Sequence, residues 1–129
     1  MDGSRTTRLQ EALNNDAEFQ QASRFWNTNL KLDMGNSALL FRIQTGQVTE
    51  IERGYQDFDP LMRSDIQIHA PAGQWDKFLE RVPKPFYLDL WGATVHHGVK
   101  VGGDLEKVYA YYPAIRRFFD VMREVTHNA

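Results

Sequence analysis

The chain contains no cysteine. Disulfide stapling and zinc sites built from thiolates are therefore excluded. At 129 residues the chain can bury a core without such staples. Long hydrophobic runs are missing too. Nothing approaches the roughly 18 apolar residues of a membrane span, so stable membrane insertion is not expected. Charge of one sign is scarce: 15 Lys and Arg against 17 Asp and Glu leave a net charge of −2. A dedicated nucleic-acid binder is usually basic, so no nucleic-acid partner is expected. The opening "MDGSRTTRLQEAL" lacks the apolar stretch of a signal peptide, and "THNA" at the end matches no lipidation or peroxisomal signal. These absences lead to the expectation of a cytoplasmic protein. Proline is sparse, with 5 in the chain, so each one punctuates the pattern around it.

Apolar residues make up 42% and aromatics 12%, enough for one folded domain over residues 1–129. Thr6 or Thr7 can cap a first helix through Leu13, and Asp16 a second that puts Phe19, Ala22, Phe25 and Trp26 on one face. Alternation with period two follows. Leu30, Leu32 and Met34 point one way, and Lys31 and Asp33 the other. Gly35-Asn36 and Thr45-Gly46 read as turns around a strand with Leu39, Phe41 and Ile43 inward, giving an antiparallel meander. "YQDFDPLMRS" carries apolar Phe58, Leu61 and Met62 in an acidic loop. "SDIQIHA" is a strand with Ile66 and Ile68 inward and Gln67 and His69 outward. Pro71 opens a helix striped by Trp75, Phe78, Leu79 and Val82. "FYLDLWGATVHHG" fits a strand or one to two helical turns. "GVKV" is a short strand, Gly102-Gly103 turns, and Asp104 caps a last helix that Pro113 kinks or restarts.

That order of elements, with "LLFRIQTGQVTEIERG", "SDIQIHAPAGQWDKFLERV" and "GVKVGGDLEKV", resembles the sterol carrier protein type 2 family over about residues 20–122. The resemblance implies an α+β fold: a mostly antiparallel five-stranded sheet, helices over one face, and an apolar pocket between them. It implies non-catalytic binding and transfer of a fatty acid, fatty acyl-CoA or sterol-like lipid, with no cofactor. It also favours a short helix for "FYLDLWGATV". The 55–63 loop and Pro113 depart from the animal members, and both would lie near the pocket.

Residues able to carry chemistry also have plainer roles. His96 and His97 are adjacent, so their side chains diverge on either a strand or a helix, and no HxH or HExxH spacing accompanies them. No metal site is expected. Asp57, Asp59, Asp65, Asp89 and Asp104 fit turns and caps better than acid–base pairs. No nucleophile–base pairing is visible, so no catalytic residue is assigned. Arg116, Arg117 and Arg123 read as a solvated helix face, or as holders of an acidic headgroup.

The expected ligand-binding set is Phe41, Phe58, Met62, Ile68, Trp75, Phe78, Trp91, Tyr109 and Tyr112. Tyr and Trp offer apolar faces with a polar tip, and Met adapts to varied shapes. Tyr109 and Tyr112, at i and i+3, would share one helix face. Residues 55–63 would form a lid. A hydrophobic small molecule or lipid is the expected partner, and a homodimer is compatible with the sequence. The alternatives are a small pocket enzyme of hydratase or isomerase type and a structural accessory domain.

Overall fold

The computed structural model describes residues 3–34, 37–54, 65–70, 75–76, 79 and 99–127. Two helices come first, α1 (Gly3–Asn15) and α2 (Ala17–Ser23). Strands β1 (Thr28–Asp33), β2 (Ala38–Gln44), β3 (Gln47–Gly54), β4 (Ile66–His69) and β5 (Lys100–Gly103) follow. Helices α3 (Leu105–Ala110) and α4 (Tyr112–His127) complete the order.

The strands form one 5-stranded sheet in the order β3-β2-β1-β4-β5. β1–β2, β2–β3 and β4–β5 are antiparallel, and β1–β4 is parallel. The fold is thus α+β with a mostly antiparallel sheet. The β2–β3 hairpin turns on Thr45 (φ 51°) and Gly46 (φ 77°), the left-handed pair that a tight two-residue hairpin needs. Glycine is required at 46 for a second reason. A Cβ there would lie 2.8 Å from the Ser23 carbonyl oxygen, because the hairpin tip packs onto the end of α2. The edge strand β3 is tied to α1 by Asn14. Its Nδ2 donates to the Val48 carbonyl at 3.0 Å, and its Oδ1 accepts from Val48 N–H at 2.8 Å. Backbone groups at an exposed edge invite pairing with other chains, and Asn14 occupies this pair.

Alternation along the strands sends Leu30, Leu32, Leu39, Phe41, Ile43, Ile66 and Ile68 to one face, all buried. Leu9 and Leu13 of α1, Phe19 of α2, Val108 of α3 and Ile115, Phe118, Phe119 and Met122 of α4 join them in one core. Each such side chain contributes about 1.5–3 kcal/mol by leaving water.

Several expectations are corrected. α1 begins at Gly3, so Thr6 and Thr7 both lie inside the helix and neither is its cap. Phe25 lies beyond α2 and is 69% exposed, with the Arg24 guanidinium 4.8 Å from its ring centroid. That cation–π contact stabilises an aromatic ring left at the surface. Lys31 and Asp33 do point away from the core, yet they are only 8% and 2% exposed. The last helix breaks at Tyr111 (φ −111°, ψ 22°), before Pro113. Pro113 sits in the first turn of α4, where its missing N–H costs nothing. The turn at 35–36, the 55–63 loop, most of the helix expected over 71–82 and the whole of 86–97 lie outside the described residues. Within the expected helix, Leu79 N–H donates to the Trp75 carbonyl at 2.9 Å, a helical hydrogen bond.

Candidate functional site

The inner face of the sheet and the helices against it hold part of the expected ligand-binding set. Phe41 and Ile68 are fully buried on that face. Phe41 meets Phe118 of α4 edge-on, centroids 4.9 Å apart, and Phe118 meets Phe119 edge-on at 5.4 Å. Trp75 lies 6.2 Å from Phe119. A line of aromatic contacts thus joins Phe41 to Trp75 through Phe118 and Phe119, which carry the link although neither belongs to the expected set. Tyr112 is half-buried against the core, and Tyr109 is 67% exposed. The break at Tyr111 places the two tyrosines on separate helices, so the common face of one continuous helix is not formed. Phe58, Met62, Phe78 and Trp91 lie outside the described residues.

Trp75 is oriented by its indole N–H, which donates to the Asp33 carbonyl oxygen at 2.8 Å. Trp26 stacks on Tyr111, centroids 5.3 Å apart and planes at 14°. The Trp26 indole N–H is buried and has no hydrogen-bond partner among the described residues.

Two of the three arginines make ion pairs within the fold. Arg117 grips Asp16 with Nη2 and Nε at 2.7 and 2.9 Å, and its Nε lies 3.1 Å from Glu18. The guanidinium hydrogen bonds hold the Asp16 carboxyl below its usual range; burial opposes them, and the Phe19 N–H adds to them. Arg117 is correspondingly pushed up by its hydrogen bonds to Asp16. Arg123 is buried against Asp120 at 3.0 Å, where burial pulls its pKa down. These pairs fasten α4 to α2 and to itself. Glu18, Ala22, Pro113, Arg116, Arg117 and Asp120 line a cleft of about 350 Å³ beside them.

A second cleft, of about 230 Å³, opens on the outer face of the sheet and is lined by Lys31, Asp33, Gln67, His69, Lys100 and Gly102, with Val101. Strand alternation turns Lys31, Asp33, Gln67 and His69 outward but does not by itself bring them together. Doing so requires the parallel β1–β4 pairing, which sets Asp33 opposite His69. Among the described residues no group of three or more His, Cys, Asp or Glu is placed to hold a metal ion. No helix among them is long and apolar enough to cross a membrane.

The sequence matches no family model and no curated protein. Solved structures do match. Sterol carrier protein 2 superposes with a TM-score of 0.78 at 17% identity, covering 94% of this chain and 95% of that one. A conserved hypothetical protein from Thermus thermophilus gives 0.75 at 17% identity, covering 96% and 87%. The UbiJ-SCP2 ubiquinone synthesis protein gives 0.55 at 16% identity, covering 90% of each. The chain therefore has the sterol carrier protein 2 fold.

Proposed function

We propose that this chain binds and hands over a hydrophobic ligand without chemistry. The ligand class is a long-chain fatty acid, its coenzyme A thioester or a sterol-like lipid. It would sit between the inner sheet face and the helices. Phe41, Ile68, Trp75 and Tyr112 would touch it from the described part of the chain. Phe58, Met62, Phe78 and Trp91 would contribute from the remaining segments, and the exposed Tyr109 would stand at the mouth. The observation that carries the reading is the match to sterol carrier protein 2 over 94% of the chain. An inner face built mainly from apolar side chains, Leu30, Leu32, Leu39, Phe41, Ile43, Ile66 and Ile68 among them, supports it. Binding would draw on apolar burial at about 25 cal/mol per Å², with polar tips setting orientation.

The test is titration with a fluorescent fatty acid, alongside native mass spectrometry of the protein from its own source. Saturable binding in the micromolar range, about −8 kcal/mol, is expected. A signal that never saturates, with no co-purifying lipid, would refute the reading. The same native spectra would give the oligomeric state.

A further inference from the structure

Trp26 and Trp75 belong to the same core, yet their indole N–H groups fare differently. Trp75 donates to the Asp33 carbonyl oxygen at 2.8 Å. Trp26 is fully buried, and its Nε1–H meets no acceptor among the described residues. Nearly all buried donors in folded proteins are paired, because an unpaired one gives up its hydration for nothing in return. A phenylalanine would fill much of the same space without that loss.

The donor is also held in place. Trp26 backbone N–H donates to the Ser23 carbonyl at 2.8 Å, and its carbonyl accepts from Gly46 N–H at 3.1 Å. The residue is thereby pinned between the end of α2 and the β2–β3 hairpin tip. Tyr111 stacks on the indole, centroids 5.3 Å apart and planes at 14°. A stack covers a ring face, whereas the N–H lies in the ring plane, so Tyr111 does not receive it. Trp26 continues the two-residue parity of Leu30 and Leu32 and shares their core. Sealed from water, its N–H faces the interior between the inner sheet face and the helices, where the proposed ligand would sit. A fixed, unspent donor in an apolar interior is the kind of group that orients a ligand there.

Charge restricts what it can receive. Among the described residues the buried cations are Lys31 and Arg123. Lys31 points to the outer face of the sheet, and Arg123 lies 3.0 Å from Asp120. A carboxylate beside Trp26 would exchange its hydration for one neutral donor, which is costly. A hydroxyl or carbonyl oxygen needs no more than the indole offers.

We infer that Trp26 Nε1–H receives a single neutral oxygen of the ligand, either a sterol-like hydroxyl or the carbonyl of an ester or thioester. The interior accordingly favours such lipids over free fatty acids. This inference rests on the lipid-binding reading above and narrows its ligand class.

Nitrogen-15 NMR of the indole groups in the full chain tests it. The chain has 3 tryptophans, and Trp26→Phe assigns the signal. The probes are two matched pairs, methyl laurate with dodecane and cholesterol with cholestane. The Trp26 Nε1–H proton should move downfield with an oxygenated probe and stay nearly still with its hydrocarbon. Displacement of a fluorescent fatty acid then gives affinities. Trp26→Phe should weaken the oxygenated member relative to its hydrocarbon by about three- to tenfold in at least one pair. The pair that responds separates the two sources, ester carbonyl or sterol hydroxyl. Methyl laurate should also bind more tightly than laurate at neutral pH, and the reverse order overturns the preference for a neutral oxygen. Should Trp26→Phe melt early, the parent spectrum decides alone. A Trp26 signal that stays still while a lipid binds, or that keeps its contact with a resident water, overturns the inference and leaves the lipid-binding reading intact. Failure of every lipid and of the fluorescent fatty acid to bind overturns both.

Discussion

Arg117 forms a bidentate ion pair with Asp16, 101 residues earlier in the chain, through Nη2 at 2.7 Å and Nε at 2.9 Å. The same carboxylate caps α2 by accepting from Phe19 N–H at 2.8 Å. One side chain therefore starts a helix and fastens the last helix to it.

Removing Asp16 should remove both functions. Asp16→Ala is expected to lower stability by about 2 kcal/mol, roughly half from the cap and half from the half-buried pair. Arg117→Met should cost less, since the cap survives. A double-mutant cycle by urea denaturation should return a coupling of about 0.5–1 kcal/mol. A coupling of zero would mean that the contact is only geometric.

Acid should erase the Asp16 contribution. Its carboxyl is held low in the fold, chiefly by Arg117. Its stabilisation is thus complete above the unfolded value of about 3.9 and is lost as pH falls through the folded value. Thermal melts of the parent and Asp16→Asn should differ most near neutrality and converge as pH falls through the lowered folded value. A gap that stays constant across that range would show that the ion pair contributes nothing.

The two glycines of β5 should respond very differently to a single methyl. Gly103 has φ 92°, and a Cβ there would lie 2.1 Å from the Asp65 carbonyl oxygen, whereas at Gly102 it would meet only the flexible Gln67 side chain at 3.2 Å. Gly103→Ala should cost about 2–4 kcal/mol and loosen the β4–β5 pairing. Gly102→Ala should cost under about 1 kcal/mol and narrow the outer cleft. Hydrogen exchange at β4 and β5 amides would separate the two.

The cap and the core aromatic of the C-terminal region should also part company. Asp104 Oδ1 accepts from Lys107 N–H at 3.2 Å at the start of α3. Asp104→Ala should therefore cost about 1 kcal/mol and leave the ranking of lipid ligands unchanged. Phe118→Ala removes a ring in contact with Phe19, Phe41 and Phe119 and should cost about 3–5 kcal/mol. Tyr112→Ala should cost less than Phe118→Ala, since Tyr112 is only half-buried, and shift ligand preference toward bulkier molecules. An intact ranking in Tyr112→Ala would remove that residue from the pocket.

Features written in short range are legible in the amino-acid order itself. The alternation of Leu30, Leu32, Leu39, Phe41 and Ile43 marks the meander, and Asp16 and Asp104 read as caps because a cap acts over three residues. Thr45-Gly46 announces its turn through the backbone region it needs. Long-range features are not legible in the same way. Nothing local links Asp33 to His69 or Asp16 to Arg117; only the parallel β1–β4 register and the docking of α4 bring them together. Thr6 misleads because capping residues also tolerate helix interiors, and Phe25 because its helix ends two residues before it. The outward strand pattern is right in direction and wrong in environment at two positions: Lys31 and Asp33 face away from the core and are still buried.

The docking of α4 against α1 and α2 also orders events during synthesis. Leu9, Leu13 and Phe19 leave the ribosome first, and the meander of β1, β2 and β3 can pair soon after, since its contacts are close in sequence. Phe118 and Phe119, which cover those early residues, arrive last. Until α4 emerges, the nascent chain therefore presents an apolar sheet face and two half-covered helices to the cell. A chaperone that shields exposed aliphatic surface would act in that interval. A ribosome stall before residue 112 would leave a chain with paired strands and no closed core.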